Sequence, residues 1–325
     1  MPPRSGGKLS DSALIARLAR ELHCYVPERL EGAWAELREE GRRRAQLITS
    51  ATAARQVLRD KLGLVAPALL EAACEPFDSA TWLASLEVVL ECGGGDVAKV
   101  AVMGFEAFAA AAAAMLPGWG GHRLGGTGRQ LFAALADDRG VARMRRAALR
   151  RARGALADLK YARARRAQAE ADMMALLGEL GIAVDRICAI PGLSPATLAA
   201  ILAETGDLRQ YQSSSSVVKH AGMSPARNES GGFRGQARIS RRGRPALRLA
   251  AWRATWAVLR HCAVLAAKHA ALTSRDDDSR LTPEQARVAC AASLLRWIWS
   301  LIVHGTCWDP RIAAGQLGHH HAMAA

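Results

Sequence analysis

The chain has 325 residues and a net charge of +14, most of it carried by arginine. This length allows two or three domains around a sizeable core, and the charge favours a nucleic acid as partner, with a generic basic surface as the alternative. Seven cysteines without a Cys-x-x-Cys pair argue against a disulfide framework or a zinc site and predict buried thiols in a cytoplasmic protein. Neither a secretory signal nor a membrane span is expected, because the N-terminus has no apolar segment and charges interrupt both long apolar runs.

Helical periodicity dominates the first half of the chain and predicts a mainly α fold. Apolar positions recur at helical spacing from Ser10 or Asp11, and residues 27–62 form a long amphipathic segment typical of a helical hairpin or a coiled coil. Residues 27–92 are therefore predicted to be a helical or coiled-coil region. Two glycine-rich stretches, CGGGD and PGWGGHRLGGTG, indicate that residues 93–138 are a linker with small helices.

Residues 139–183 predict a long basic helix of the same coiled-coil region. Up to Ala169 this segment holds eleven Arg or Lys residues and one acid, Asp158, beside an apolar stripe of leucines. The pattern indicates a helix that faces nucleic acid or another helix, and a solvated charged face explains it as well.

Residues 187–201, ICAIPGLSPATLAAI, have the pattern of a helix-hairpin-helix turn. Gly192 allows a tight turn, Ser194 can cap the following helix, and Pro195 fits its first position. Such a turn directs backbone N–H groups at a DNA phosphate, although many helical hairpins use Pro-Gly for packing alone. Lys219, in the next short helix, is a further candidate contact to DNA.

The stretch 221–249 holds seven arginines, one acid, Glu229, and a serine, Ser230, that is followed by two glycines. A hydroxyl on a glycine-rich turn among guanidinium groups suits phosphodiester chemistry, in which arginines place the phosphate or stabilise its developing charge. Contacts to the DNA backbone are the favoured role of the arginines, and a plain turn residue is the alternative for Ser230. Residues 227–245 are predicted to form an irregular, mobile loop. The candidate DNA contacts are Arg227, Arg234, Arg238, Arg241, Arg242 and Arg244.

Several motifs in this part of the chain resemble one known family. IPGLSPATLAAILAETGDLRQYQSSSSVVKHAGMSP, then ESGG, RISRRGRPALRLAAWRA and a last helix ending in WDP are similar to the C-terminal domain of Piv-type DNA invertases and of bridge-RNA-guided insertion-sequence transposases. The resemblance implies a compact helical transposase domain over residues 184–312, which cleaves and rejoins DNA. It implies Ser230 as the nucleophile that becomes covalently linked to a phosphate. Besides DNA, it implies a guide RNA and a further copy of the chain as partners.

The other half of this family is a RuvC-like domain in which four acidic residues bind Mg²⁺, the implied cofactor. GGKLSDSALIA resembles the end of that domain, so that residues 1–26 correspond to its remnant and Asp11 to the fourth acid. A single carboxylate does not hold two Mg²⁺ ions. We therefore expect an N-terminally truncated transposase that is inactive alone unless a relative supplies carboxylates in trans. The alternative is a non-catalytic DNA- or RNA-binding protein that dimerises with an intact transposase or regulates it.

The remaining patterns near the C-terminus predict packing. Thr282, Pro283 and Gln285 form a capping box that opens the last long helix. Residues 313–325 are predicted to be a disordered tail. Four tryptophans at helical spacings are predicted to lie in the core: Trp252, Trp256, Trp297 and Trp299.

Overall fold

The computed structural model describes residues 12–13, 32–92, 96–116, 124–137, 139–226, 229–230, 233–234, 238–276 and 279–315. Within these residues the fold is mainly α with a few two-residue strands, which confirms the fold class predicted from the helical periodicity. Asp11, most of the predicted remnant 1–26 and most of the predicted tail 313–325 lie outside the described residues.

Two helices, of 33 and 35 residues, are much longer than the other helices in the described part of the chain. The helices are α1 (Ala33–Val65), α2 (Pro67–Glu71), α3 (Ala80–Cys92), α4 (Val97–Val102), α5 (Phe105–Ala114), α6 (Arg129–Ala133), α7 (Arg145–Glu179), α8 (Val184–Cys188), α9 (Pro195–Thr205), α10 (Ser214–His220), α11 (Pro245–His261), α12 (Ala263–Thr273), α13 (Pro283–His304) and α14 (Pro310–Ala313). The strands are β1 (Pro225–Ala226), β2 (Glu229–Ser230), β3 (Phe233–Arg234) and β4 (Arg238–Ile239).

The long helices α1 and α7 pack along each other in antiparallel orientation. Leu37, near the start of α1, shares a buried cluster with Leu177, near the end of α7. Leu58, near the end of α1, shares a second buried cluster with Leu156, in the first half of α7. Within residues 32–92 the one long helix therefore has no partner of similar length, because it packs against a helix about a hundred residues later in the chain.

The basic residues of α7 include two groups that differ in their contacts. Lys160 pairs with Glu87 at 2.6 Å and Arg153 with Glu91 at 3.6 Å, so this group joins α7 to α3. The second group is exposed and makes no ion pair with the described residues: Arg146, Arg150, Arg151 and Arg165. If α7 binds nucleic acid, the second group can contact it directly. The first group would have to give up its ion pairs with α3.

The segment between the long helices leaves α1 and returns to the same place. The N–H group of Val141 donates to the carbonyl of Leu64 at 3.0 Å, just before α7 begins. Between these points the small helices α2 to α6 pack on the ends of α1 and α7 around Trp82 and Phe108, which are fully buried. Residues 93–138, predicted to be a linker with small helices, thus contribute core residues to this second cluster.

The C-terminal core is built around α13, which packs against α10, α11 and α12. The predicted capping box is confirmed: Thr282 Oγ1 accepts from the Gln285 N–H, and the Gln285 side chain accepts from the Thr282 N–H. Among the described helices, α13 alone is long and apolar enough to cross a membrane, and half of its apolar window is buried inside the protein. Its buried residues, such as Leu294 and Ile298, belong to the core, which accounts for this composition.

Two predictions about packing are corrected by the structure. Trp297 and Trp299 pack against the C-terminal core, as expected, whereas Trp252 is half-buried beside Trp256, and Trp256 is 46% exposed. Cys262 and Cys290 are buried thiols, whereas three other cysteines are exposed, contrary to the prediction: Cys74, Cys92 and Cys307.

Candidate nucleic-acid interface

In the segment that follows α10, the described residues form two antiparallel strand pairs, which are called the ribbon below. β1 pairs with β4 in antiparallel register, with Ala226 opposite Arg238, and β2 pairs with β3, with Ser230 opposite Phe233. The prediction of an irregular loop over 227–245 was therefore wrong for these paired residues. Only two glycines separate Ser230 from Phe233 in the sequence, so Ser230 lies at the end of the ribbon that is farthest along the chain from α10 and α11.

The two ends of the ribbon cross at a pair of glycines. A Cβ on Gly243 would lie 2.4 Å from the backbone N of Gly222 and 2.4 Å from the carbonyl oxygen of His220, so a side chain has no room there. Gly222 has a φ of +66°, which glycine adopts without strain. Hydrogen bonds from the N–H of Arg241 to the Gly222 carbonyl (3.0 Å) and of Arg244 to the His220 carbonyl (2.7 Å) close the crossing. The base of the ribbon is therefore fixed by backbone contacts.

Two arginines at this base are occupied by contacts within the protein. Arg244, predicted to contact DNA, forms an ion pair with Glu204 on α9, and the Glu204 side chain is only 10% exposed. Arg248, on the first turn of α11, donates to the carbonyl of Ala221 at 3.0 Å and so covers the C-terminal end of α10. The Arg244 guanidinium thus ties the ribbon to α9, a contact that the sequence did not predict.

Four other predicted cations are exposed to solvent, unlike Arg244 and Arg248. Lys219, Arg238, Arg241 and Arg242 are exposed and make no ion pair within the part of the chain that the structure describes. They lie at the base of the ribbon and at the end of α10. Arg227 lies outside the described residues, and for Arg234 and Ser230 the structure describes the backbone pairing alone.

His220 belongs to the same region, and no sequence motif pointed to it. Its ring meets that of Tyr211 edge to face, with centroids 5.6 Å apart. Burial lowers the pKa of His220, the positive charges of Arg244 and Arg38 lower it further, and Glu204 opposes them. The imidazole is therefore neutral at neutral pH and lies in a polar cluster that connects α10, α9 and α1.

The predicted helix-hairpin-helix turn joins α8 to α9. Ser194 caps α9, as predicted: its Oγ accepts from the N–H of Thr197 at 3.3 Å. Gly192 has a φ of +85°, and a Cβ there would lie 2.6 Å from the carbonyl oxygen of Ala257 in α11. Glycine is thus required both for the turn and for its close contact with α11. A role of Gly192 and Ser194 in phosphate binding stays a prediction.

The described residues do not fit the Mg²⁺ site that the resemblance implies. They hold no group of three or more His, Cys, Asp or Glu side chains arranged to bind a metal ion. Asp11, the predicted fourth acid, lies outside them. No step of the chemistry can therefore be assigned to a metal bound by the described residues.

Comparison with known proteins gives two similarities. Residues 184–270, which span α8 to α12 and include the ribbon, match the model of the transposase IS116/IS110/IS902 family. A probable family 20 transposase of Pseudomonas aeruginosa (strain PAO1) is 29% identical over 130 residues. These matches support an insertion-sequence transposase. The aligned part covers 39% of this chain and 37% of the Pseudomonas protein, so the similarity concerns one region of each.

Proposed function

We propose that this chain cleaves and rejoins DNA strands in the movement of an insertion sequence, with Ser230 as the nucleophile. The proposal rests on one observation above all: the region that matches a transposase family contains the ribbon that carries Ser230, and the base of this ribbon presents exposed cations. A serine on a narrow ribbon with a basic base is suited to a phosphodiester, which is negatively charged and must be approached closely.

The proposed reaction is a reversible transfer of a DNA phosphate to serine. The Ser230 Oγ forms a bond to phosphorus while one P–O bond of the DNA strand breaks. The hydroxyl proton passes to solvent, and the departing oxygen takes up a proton. In the rejoining step a DNA hydroxyl attacks the phosphoserine and releases Ser230. The phosphodiester energy is conserved in the covalent intermediate, so rejoining needs no nucleotide cofactor.

The exposed cations have a positioning role in this proposal. Lys219, Arg238, Arg241 and Arg242 contact phosphates on both sides of the scissile one and set the position of the strand relative to the ribbon. Arg244 acts differently, because its guanidinium is occupied by Glu204. It holds the ribbon on the protein, so its effect on DNA is indirect.

The carboxylates for Mg²⁺ are proposed to come from another polypeptide. In the resembling family these acids bind the metal, and the described residues of this chain offer no equivalent cluster. A relative with an intact acidic domain, joined to this chain in one assembly, would supply them. A guide RNA and a further copy of this chain remain predicted members of such an assembly.

The second candidate is a non-catalytic DNA- or RNA-binding protein that regulates an intact transposase. The observation that favours it is the same lack of an acidic cluster among the described residues. Both candidates bind nucleic acid through the exposed cations. They differ in whether Ser230 ever becomes covalently linked to DNA.

A covalent-trapping experiment tests the proposal. Nicked duplexes tiled across the DNA that flanks the gene are incubated with the chain and Mg²⁺, alone and together with a family member that keeps its acids but has its own serine changed to alanine. We expect an SDS-resistant protein–DNA species of the size of this chain in the mixture. Ser230→Ala abolishes it, whereas Ser240→Ala, which alters a serine at the ribbon base, leaves it intact.

The alternative outcomes are distinct. If no covalent species forms in any mixture although the chain binds the duplexes, the nucleophile proposal is wrong and the regulatory candidate is favoured. If the species persists in Ser230→Ala, another residue is the nucleophile. If it forms without the helper, the carboxylates are supplied by this chain.

A further inference from the structure

The outer face of α11 carries aromatic and basic side chains that the proposed reaction does not use. Leu249, Trp252, Arg253, Trp256 and Arg260 are spaced by three, four or seven residues, so they lie along one side of the helix. Leu249 is 45% exposed and Trp256 46%, which is unusual for large apolar side chains next to a core. Together with Arg287 of α13 these residues are called the tryptophan surface below.

The ring of Trp256 is held in place by two neighbours. The guanidinium carbon of Arg287 lies 3.7 Å from the centroid of the Trp256 ring, which is a close cation–π contact. Trp252 meets Trp256 edge to face, with centroids 5.4 Å apart and an interplanar angle of 83°. The Nε of Arg287 is buried and has no hydrogen-bond partner among the described residues, so the rings hold this guanidinium. Trp256 thus contacts Arg287 through a ring face and also contacts Trp252, and it still exposes 46% of its surface.

The charged residues on α11, α12 and α13 are mostly positive. Neither α11 nor α12 contains Asp or Glu, and α13 contains one, Glu284, a turn before Arg287. Arg253 and Arg260 are exposed and make no ion pair with the part of the chain described. A ligand of this surface therefore needs a flat apolar group together with negative charge.

We propose that the tryptophan surface binds single-stranded nucleic acid by stacking an unpaired base on Trp256. The base covers the ring face opposite Arg287, and Arg253 and Arg260 contact the flanking phosphates. Bases in a duplex are stacked on each other and cannot reach the ring, so the site selects unpaired segments. The site is separate from Ser230 and does not depend on the covalent chemistry proposed for it.

A second copy of this chain is a less suitable occupant. In a symmetric dimer the same surface contributes from both protomers, so the arginines of one copy would face the arginines of the other. Like charges that face each other across an interface are costly, whereas phosphates neutralise them. Charge complementarity therefore favours nucleic acid.

The test compares oligomers of equal charge that differ in their bases. The full chain is titrated, by fluorescence anisotropy, into labelled oligothymidylate of about 12 nucleotides and into an abasic oligomer of the same length and charge. We expect about tenfold tighter binding of the oligomer with bases, equivalent to about 1.4 kcal/mol. Trp256→Leu and Arg287→Gln should each reduce this preference, whereas Tyr161→Leu, which removes a 64% exposed aromatic side chain on α7, should leave it unchanged.

Several results would overturn the proposal. Equal affinity of the wild-type chain for the two oligomers would exclude stacking, and so would an equal loss in Trp256→Leu and Tyr161→Leu. If light scattering shows that Trp256→Leu converts a dimer into a monomer while the base preference persists, the surface is a contact between copies.

Oligouridylate, tested beside oligothymidylate, distinguishes RNA from DNA as the source of the unpaired base. Ser230→Ala serves as a folded control, since its loss of covalent chemistry leaves stacking intact.

Discussion

Two arginines at the base of the ribbon, only two residues apart, have different environments. Arg242 is exposed and makes no ion pair with the described residues, whereas Arg244 pairs with the nearly buried Glu204. Sequence reasoning treated them alike, because both are arginines in a basic stretch that is rich in glycine. The difference arises because the chain crosses itself at Gly222 and Gly243 and turns the second arginine toward α9.

This difference predicts that alanine at position 242 changes DNA binding, whereas alanine at position 244 changes stability. Arg242→Ala should leave the free energy of unfolding unchanged and reduce the slope of log Kobs against log salt concentration for duplex DNA by about 1. Arg244→Ala should lower the free energy of unfolding by about 3 kcal/mol, because it leaves the Glu204 carboxylate unpaired in a partly buried position. Urea denaturation and salt titration of both variants measure these effects. Equal stability of the two variants would contradict this assignment.

His220 predicts a pH dependence of stability. Its pKa in the folded protein lies below its ordinary value of 6.5, so the unfolded chain binds a proton first as the pH falls. Its contribution to stability is therefore fully present above about pH 6.5 and is lost as the pH falls toward the lowered folded pKa. Denaturation measured from about pH 5 to about pH 8 should show this loss, and His220→Gln should flatten the curve in that window. A variant curve parallel to that of the wild type would argue against this role.

At the scale of elements, the ribbon depends on how α10 and α11 are joined. The connection must bring its two ends together within backbone contact distance, which only glycine allows at 222 and 243. The Gly192 turn makes a similar contact with the backbone of α11. These two contacts fix α9, α10 and α11 relative to each other, and they set the base from which the ribbon extends.

Gly243→Ala should therefore destabilise this junction. The added Cβ would lie 2.4 Å from two backbone atoms, so the crossing must open, and we expect the free energy of unfolding to fall by about 1–3 kcal/mol. Gly154→Ala is the matched control, because Gly154 lies in α7, is exposed and has no other atom within 4 Å of an added Cβ. It should stabilise the protein by about 0.5–1 kcal/mol. Thermal denaturation of the two variants compares them directly, and a neutral Gly243→Ala would show that the crossing adapts.

At the scale of the whole molecule, α1 and α7 connect two separate cores. One core lies among α8 to α13 and reaches Leu37 and Leu177, and the other lies among α2 to α6 and reaches Leu58 and Leu156. Gly41 allows α1 to approach α9 closely, since an added Cβ would lie 2.6 Å from the Cβ of Ala203. The helix pair is thus packed directly on the region that matches the transposase family.

Two groups of exposed cations can be separated by a charge-matched comparison. Changing Lys219, Arg238, Arg241 and Arg242 together to alanine should reduce the salt slope of duplex binding by about 3–4, if these residues contact phosphates. Changing four exposed arginines of α7 removes the same charge: Arg146, Arg150, Arg151 and Arg165. A smaller reduction is expected for the second variant, because its arginines lie away from the ribbon. Equal reductions would show that total charge, rather than the ribbon base, determines binding.

The sequence by itself determined the features that depend on neighbours in the chain. The mainly α fold, the capping box at Thr282 and the cap at Ser194 follow from local spacing and are present as predicted. The arginine density around Ser230 and the order of the motifs also pointed to the region that matches a transposase family.

Only the tertiary structure decided which of these residues are available to a ligand. The partner of α1, the ion pair of Arg244, the polar cluster of His220 and the exposure of Trp256 all depend on contacts between residues far apart in the chain. A sequence pattern indicates which side chains share one face of a helix, but it does not indicate which other element covers that face. For this reason Arg244 was predicted as a DNA contact and Trp256 as a core residue, whereas the structure pairs Arg244 with Glu204 and leaves Trp256 46% exposed.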